Sequence, residues 1–347
     1  MGKHLLTEIK IKDFKCFKNF KADGFKRINL IGGKNNVGKT AFMEACFLAN
    51  SSFEIFKAND YSPRKGARID REWFHFEIIK ILILIKQNRE RVTFLTDWFR
   101  EELDLTTFSN FEIEINNKFR LTLNDNFLMP EHFNVQAWSN WGSVDISKYM
   151  DSKYYSKVYK KNSLPIIDNY SFISICDDEN KIKTLIDDLK LNKKYKKMNK
   201  LLKEIFGIEQ IDIIKNKVML KQNDKFEFLN DYGDGIKHFI NMIVILLSSE
   251  NTAVYLDEVD NGIYYRNFDK LWEIILTISK EQNVQVFATT HSKECIESYA
   301  RVSRKLKDKE MCYIKMTELK DGSIKAGVRN YAMFQDSIDD EHEVRGW

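Results

Sequence analysis

The chain has 347 residues, of which 43% are hydrophobic and 31% are charged, and its formal net charge is +4. This length and composition predict a soluble globular protein with one large domain or two. The small net charge neither demands nor excludes a nucleic-acid partner. The longest apolar run, residues 78–85, contains Lys80 and is too short to span a bilayer, so we predict no membrane association.

Five cysteines are spread along the chain without a C-x-x-C pair: Cys16, Cys46, Cys176, Cys295 and Cys312. Their number is odd, and no targeting or secretory signal is visible before them. Reduced thiols in a cytosolic protein are the simplest explanation of this pattern. We therefore expect a cytoplasmic location.

The N-terminal part predicts strands that lead into a phosphate-binding loop. Residues 5–31 form an edge hairpin and then an apolar strand, and residues 33–40 fit G-x-x-x-x-G-K-[ST] without a mismatch. Gly33 and Gly38 let the backbone amides surround an anion, Lys39 brings a positive charge to the β- and γ-phosphates, and the Thr40 hydroxyl can bind Mg²⁺. The predicted nucleotide-binding residues here are Gly33, Asn35, Asn36, Val37, Gly38, Lys39 and Thr40, with ATP and Mg²⁺ as cofactors.

The context of this loop decides between a P-loop and a glycine turn with a chance Lys-Thr pair. A helix from residue 39 to about 51 follows it, with Phe42, Ala45, Cys46 and Leu48 on its apolar side. The positive end of that helix dipole points at the same phosphates. A motif between an apolar strand and an amphipathic helix favours the P-loop.

Residues 52–165 interrupt the pattern, and we interpret them as an insertion in the ATPase domain. They predict helices over 73–86 and 94–103 and a hairpin of strands 111–115 and 119–123. The segment is rich in aromatic residues, which pack in a core or stack on nucleic-acid bases; the sequence leaves both alternatives open.

Residues 181–204 predict one basic helix with an apolar side formed by leucines. Seven lysines lie in it: Lys190, Lys193, Lys194, Lys196, Lys197, Lys200 and Lys203. They form either a solvated face or a contact for a phosphate backbone or an acidic partner.

From residue 208 onward strands and helices alternate, which predicts a parallel sheet with its site at the carboxyl ends of the strands. We predict a helix over 236–247, a strand over 253–256, a helix over 268–278 and a strand over 284–288. The strand 253–256 ends in two acids, of which Asp257 would hold Mg²⁺ and Glu258 would act as general base. His291 follows the next strand and would sense the γ-phosphate.

A second glycine turn, Gly233-Asp234-Gly235, opens a helix just before the Asp-Glu strand. Two glycines at a helix N-terminus make an anion nest. The motif is weak alone and becomes informative through its position in the order of motifs.

This order of motifs resembles that of ABC-type ATPases, and more closely the OLD-like (overcoming lysogenization defect) AAA ATPases of bacteria. The resemblance is carried by residues 11–17, 29–32, 233–237, 256–258 with 261–263, 288–292 and 343–346. It implies that Lys39 and Thr40 bind phosphate and Mg²⁺, that Asp257 supports the metal, that Glu258 is the base and His291 the switch. It also implies that Gly233, Asp234 and Gly235 close on the ATP of a second subunit in a homodimer or a larger even-numbered oligomer.

The chain departs from the family pattern at two positions. Gly233 stands near the place of the signature serine of ABC proteins, and Tyr264 stands where many relatives have histidine. The family's glutamine loop corresponds to either Gln87 or Gln136. Many OLD-like proteins continue into a TOPRIM nuclease domain, which we do not expect here, because the terminal acids from Asp336 to Glu343 are more typical of a solvated tail.

The predicted fold class is α/β: a P-loop NTPase of ABC-ATPase type, a mixed sheet with an α+β insertion. The predicted regions are 1–51 with the P-loop, the inserted lid or partner region 52–165, and 166–347. The last region contains the signature at Gly233-Asp234-Gly235, the acidic turn Asp257-Glu258 and the switch histidine His291. The predicted function is a nucleotide-gated sensor or clamp in DNA transactions or anti-phage defence, with a separate effector protein. An ATP-binding scaffold and an ABC transporter subunit remain the alternatives.

Overall fold

The computed structural model describes residues 6–47, five strands between residues 111 and 173, and residues 179–340. Side chains are described in 6–47 and 182–340. The predicted helices over 73–86 and 94–103, the residues 48–51 and the C-terminal motif 343–346 lie outside the described residues. Among the helices that are described, none is long and apolar enough to cross a bilayer.

Fifteen strands are described. They are β1 (Glu8–Phe14), β2 (Phe17–Asp23), β3 (Ile28–Gly33), β4 (Phe111–Ile115), β5 (Phe119–Asp125), β6 (Phe133–Ser139), β7 (Gly142–Asp145), β8 (Tyr170–Ile173), β9 (Gln210–Ile214), β10 (Lys217–Gln222), β11 (Lys225–Phe228), β12 (Ala253–Leu256), β13 (Gln285–Thr289), β14 (Met311–Glu318) and β15 (Ile324–Asn330). The described helices are α1 (from residue 39 to at least 47), α2 (Glu179–Leu191), α3 (Tyr195–Phe206), α4 (Asp234–Ser248), α5 (Phe268–Glu281), α6 (Lys293–Lys305) and α7 (Tyr331–Asp339).

A mixed six-stranded sheet forms the centre of the molecule, in the order β15-β14-β3-β13-β12-β8. Strand β15 is antiparallel to β14, and the other neighbouring pairs are parallel. Strands β3, β12 and β13 are buried along their whole length, as expected for parallel strands covered on both faces. Their carboxyl ends therefore meet at one edge, which confirms the predicted fold class.

A second six-stranded sheet is antiparallel, in the order β2-β1-β4-β5-β6-β7. The predicted hairpin of residues 111–123 is present as β4 and β5, and β4 pairs with β1. Strands of the segment 52–165 thus extend the N-terminal hairpin instead of forming a sheet of their own. Phe20 of β2 packs on Phe42 of α1, with ring centroids 5.4 Å apart, so this sheet lies against the helix that follows the P-loop.

The third sheet, β11-β10-β9, is antiparallel and packs with α2 and α3. The prediction of one basic helix over 181–204 is wrong, because the chain breaks between α2 and α3, where Lys193 has a φ of 60°. Leu185, Leu189 and Leu202 are buried as predicted. Several lysines form ion pairs with acids of the same chain at the surface: Lys190 with Asp187 and Asp212, Lys194 with Glu250 and Lys197 with Glu281.

Helices α4, α5 and α6 cover the central sheet, and α4 is buried over most of its length. The residues 336–339, expected in a solvated tail, belong to α7, whose Phe334 ring stacks on Tyr313 at 4.9 Å. Their carboxylates still face solvent, and Asp339 pairs with Arg304 at 2.7 Å. The helix forms because Phe334 is buried while the acids of the same turn remain exposed.

Candidate active site

The P-loop lies between the end of β3, at Gly33, and the start of α1, at Lys39. Gly38 has a φ of 82°, in the left-handed region that favours glycine. A Cβ atom at Gly38 would lie 2.5 Å from Sγ of Cys16, in the turn between β1 and β2. The N-terminal hairpin therefore packs directly on the loop and holds its shape.

The Lys39 side chain is folded onto the loop that it closes. Its Nζ donates hydrogen bonds to the carbonyl oxygens of Gly33, at 3.0 Å, and Lys34, at 2.6 Å. Burial lowers the pKa of Lys39 to about 8, although Asp257 and Glu258 oppose this shift. The ammonium group is thus held inside the loop, where phosphates bind in a P-loop.

Thr40 and Asp257 meet across the sheet edge. The Thr40 hydroxyl donates to the Asp257 carboxylate, with 3.1 Å between Oγ1 and Oδ2. The Thr289 hydroxyl, at the end of β13, donates to the other oxygen of Asp257 at 2.6 Å. Two protein oxygens at this point fit a Mg²⁺ site, because Mg²⁺ takes one or two protein ligands together with water and phosphate oxygens.

The described residues support this metal assignment only if the protein supplies one or two of the ligands. In the part of the chain that the structure describes, no group of three or more His, Cys, Asp or Glu side chains could hold a metal ion. Thr40 and Asp257 would therefore need the oxygens of a nucleotide to complete the coordination of Mg²⁺.

Glu258 follows Asp257 in a strained backbone conformation, with a φ of 48°. Its amide donates to the Thr289 hydroxyl at 2.8 Å, and the next amide, of Val259, donates to the Thr289 carbonyl at 2.9 Å. These bonds to β13 turn the chain sharply, and they leave the Glu258 side chain partly exposed beside the P-loop lysine.

His291 lies at the end of β13, just before Ser292 caps α6 by accepting a bond from the Cys295 amide. The His291 side chain is exposed. Burial and then the charge of Lys39 lower the pKa of His291, and these effects outweigh those of Glu258, Asp260 and Asp257. The lowered pKa favours the neutral imidazole, which lies among the charged groups of the P-loop and the Asp257-Glu258 turn.

The second glycine turn forms the N-terminus of α4, with Gly233 as its N-cap and no side-chain cap. The helix thus presents its positive dipole end at this point, with the Ile236 amide bonded to the Gly233 carbonyl at 3.0 Å. Gly235 packs on Gly262 in the turn that follows Glu258, and a Cβ atom on Gly235 would collide with the Gly262 carbonyl. The turn was expected to find its partner in another subunit, whereas in the structure Gly235 already contacts this subunit's own chain.

Sequence reasoning missed three features of the site. Thr289 was noted only as a neighbour of His291, and its contact with Asp257 depends on the pairing of β12 with β13. Position 262 needs glycine because Gly235 packs against it, and this contact is visible only in the structure. Lys15 pairs with the buried Glu44 of α1, behind the P-loop, and burial raises the pKa of Glu44. The left-handed φ of 51° at Lys15 is not visible in a charge pattern.

Comparisons with known proteins agree with this geometry. Residues 155–297 match the family model described as "AAA domain, putative AbiEii toxin, Type IV TA system". This segment contains the second glycine turn, the acidic turn and His291, and the P-loop precedes it. A protein of Helicobacter pylori (strain ATCC 700392 / 26695) named "ATP/GTP phosphatase" is 24% identical over 331 residues, which cover 86% of this chain and 89% of that protein.

Three solved structures of SMC heads are also similar. The SMC head domain from Thermotoga maritima has a TM-score of 0.48 and 14% identity, and the match covers 94% of this chain and 99% of that chain. An SmcHead bound to the C-winged helix domain of ScpA has a TM-score of 0.49 and 14% identity, over 94% and 98% of the two chains. An Smc head domain with an extended coiled coil bound to the C-terminal domain of ScpA, derived from Pyrococcus furiosus, has a TM-score of 0.49 and 12% identity, over 97% and 99%.

The P-loop after β3, the acidic turn after β12 and the AAA-domain match point to the same class of protein. The chain has the fold of a P-loop nucleoside triphosphatase with a mixed α/β sheet.

Proposed function

We propose that this P-loop ATPase binds ATP with Mg²⁺ at residues 33–40 and hydrolyses it with Glu258 as general base. The observation that carries the proposal is the meeting of Lys39, Thr40, Asp257 and Glu258 at one sheet edge. Lys39 would exchange its bonds to the loop carbonyls for the β- and γ-phosphates. Thr40 and Asp257 would hold Mg²⁺, which would neutralise part of the negative charge of the phosphates.

Glu258 is the best placed group to take a proton from the attacking water. Its carboxylate is partly exposed, while its backbone is fixed by the hydrogen bond that its amide donates to the Thr289 hydroxyl. A fixed backbone with a reachable carboxylate suits a base that must meet a water molecule. The neutral His291 beside it can donate a hydrogen bond to a γ-phosphate oxygen without adding charge.

The test compares Glu258→Gln, Lys39→Ala and the matched variant Asp260→Asn, which removes an acid from the same turn. We expect Glu258→Gln to bind ATP and lose turnover, Lys39→Ala to lose tight ATP binding, and Asp260→Asn to keep both. ATP binding is measured by filter retention and turnover by phosphate release. Wild-type turnover in Glu258→Gln would show that the base is another group.

ATP-dependent dimerisation is the second part of the proposal. The α4 N-terminus at Gly233 offers its positive dipole end to an anion. In the turn after Gly262, which packs on Gly235, Tyr264 and Tyr265 are 57% and 54% exposed. Arg266 lies 5.8 and 6.0 Å from the centroids of these two rings. Tyr and Arg are among the residues most enriched at the energetically dominant centre of protein interfaces. A second subunit would cover this surface and place its Gly233 to Gly235 on the nucleotide.

Sedimentation of Glu258→Gln with ATP tests this assembly. We expect dimers or larger even-numbered assemblies, and monomers when Tyr264→Ala and Tyr265→Ala are added. Leu191→Ala is the control, since it removes an apolar side chain that is 79% exposed on another surface. A strict monomer at all protein concentrations would contradict the dimer.

The assembly would act as a nucleotide-gated sensor or clamp in DNA transactions or anti-phage defence, with a separate effector. The resemblance to OLD-like ATPases and the matched model, described as a putative AbiEii toxin, support this assignment. The described free cysteines support a cytoplasmic location, because three of the four are buried thiols. The purified protein on its own should not cleave plasmid DNA in the presence of ATP and Mg²⁺ or Mn²⁺. ATP binding without turnover in a single-turnover assay would favour a scaffold.

A further inference from the structure

The small sheet β9–β11 has one face in the core and one face in solvent. Ile211, Val218 and Leu220 are buried on the inner face. Because residues directly opposite on antiparallel strands share a face, the pairs Met219 with Phe228 and Lys221 with Phe226 lie on the other one. We call this outer face, with Lys217 beside it, the Phe226–Phe228 face.

Two aromatic rings stand on the Phe226–Phe228 face. Phe226 and Phe228 are 42% and 38% exposed, on the edge strand of the sheet. Two residues of a strand advance by about 6.7 Å, so the rings form two neighbouring platforms on one face. The Lys217 ammonium lies 4.3 Å from the centroid of the Phe228 ring. Exposed rings beside a cation are unusual on a soluble surface and indicate a ligand with flat faces and negative charge.

The charges around these rings are mostly uncompensated. Lys215, Lys217 and Lys225 have no ion pair within the described residues, whereas Lys221 pairs with Asp224 at 3.0 Å and Glu209 at 3.7 Å. The helices α2 and α3 differ, since acids neutralise three of their lysines. The Phe226–Phe228 face is therefore the more favourable of the two lysine-rich surfaces for a polyanion.

We propose that the Phe226–Phe228 face binds single-stranded nucleic acid. Two bases would stack on the phenylalanine rings, and the phosphate between them would contact Lys217, which lies on the same face. An acidic peptide would satisfy the lysines but would not use the flat faces of both rings, so the aromatic pair favours the nucleic acid.

The position of this face connects it to the ATP site. Strand β11 runs through a 3₁₀ turn, Leu229–Asp231, directly into Gly233 at the N-terminus of α4. The Tyr232 hydroxyl donates to the Glu227 carboxylate at 3.0 Å, which ties that connection to β11. A ligand that orders β11 would thereby order the α4 N-terminus; this second step rests on the proposed function, and the binding itself does not.

Binding is measured by fluorescence anisotropy with labelled 12-nucleotide oligo-dT and oligo-U, a 12-base-pair duplex and poly-glutamate, without ATP. We expect both single strands to bind better than the duplex. The double variant Phe226→Leu/Phe228→Leu should weaken binding by about tenfold or more, because leucine keeps the apolar contact but offers no stacking surface. Phe226→Tyr/Phe228→Tyr should restore it.

A matched charge comparison locates the surface. Lys217→Gln should weaken single-strand binding and flatten its salt dependence, while Lys196→Gln, with the same charge change on α3, should do neither. Equal binding by the leucine variant and the wild type, or loss in the α3 variant alone, would overturn the proposal. Binding of poly-glutamate but of no single strand would assign the face to an acidic protein. Stimulation of ATP turnover by the bound strand is measured separately. A protein without measurable ATP hydrolysis therefore leaves the binding result unchanged.

Discussion

The Thr289 hydroxyl bonds both the Asp257 carboxylate and the Glu258 backbone amide, so Thr289→Val is a sharp test of the proposed catalytic turn. The side chain is buried at 1% exposure, and valine has nearly the same shape. The substitution removes the donor to Asp257 and the acceptor for the Glu258 amide, and it leaves the packing in place.

The magnitude follows from these two bonds. A hydrogen bond to a charged group contributes about 1.5–3 kcal/mol, and an unsatisfied buried amide costs about 1–3 kcal/mol. Water can replace part of this at the partly exposed Glu258, so we expect a net loss of about 1.5–3 kcal/mol. If that loss falls on the transition state, turnover decreases by about 10- to 150-fold.

Phosphate release is measured across a Mg²⁺ titration, with thermal unfolding in parallel. Thr289→Val should need more Mg²⁺ and reach a lower maximal rate, and Thr289→Ser should recover most of both. Thr252→Val is the matched control at the start of β12, because the Thr252 hydroxyl is buried without a hydrogen-bond partner in the described structure. Turnover of Thr289→Val within twofold of wild type at every Mg²⁺ concentration would refute the reasoning.

Three further predictions concern other parts of the site and fold. Gly235→Ala should lose turnover, because its Cβ collides with the chain after the Asp257-Glu258 turn, whereas Gly327→Ala in β15, where a Cβ would make only an ordinary contact at 3.8 Å, should keep its rate. In excess Mg²⁺ at pH 8.5, calorimetry in two buffers should show ATP binding taking up about three quarters of a proton, since phosphates restore the charge of Lys39, whose pKa is about 8. At pH 7 the uptake should fall to about a tenth of a proton, and in Lys39→Met it should vanish. Arg27→Met, which strands a buried carboxylate, should cost about 3–5 kcal/mol of unfolding free energy in urea, against less than about 1 kcal/mol for the exposed ion pair of Arg301.

The site could be predicted where a short sequence motif determines its own local backbone conformation. The P-loop pattern includes its turn glycines and its helix start, and the apolar run 253–256 matches β12 residue for residue. The alternation after residue 208 then places Glu258 and His291 at one sheet edge, because parallel strands end on the same side.

Contacts between distant segments were not predictable in the same way. Strand β4 pairs with β1 across about a hundred residues, and nothing in either strand names its partner. The break between α2 and α3 is hidden because lysines continue through it, although the 79% exposure of Leu191 marks a leucine that no longer lies on an apolar face. Thr289 gains its role only when β13 is placed beside β12.

The hydrogen bonds within the site also limit the free energy that ATP binding can gain from new hydrogen bonds. Lys39 donates to loop carbonyls and Thr40 donates to Asp257, so a nucleotide exchanges bonds that the protein already makes. The net gain must therefore come from charge: phosphates raise the pKa of Lys39, but they also approach the carboxylates of Asp257 and Glu258. Metal-free ATP meets two negative groups and one buried cation, whereas Mg²⁺ reverses the sign of the contact at Asp257. Binding of ATP and of Mg²⁺ should consequently be strongly coupled, and replacing Asp257 by Asn should weaken that coupling while improving the binding of metal-free ATP.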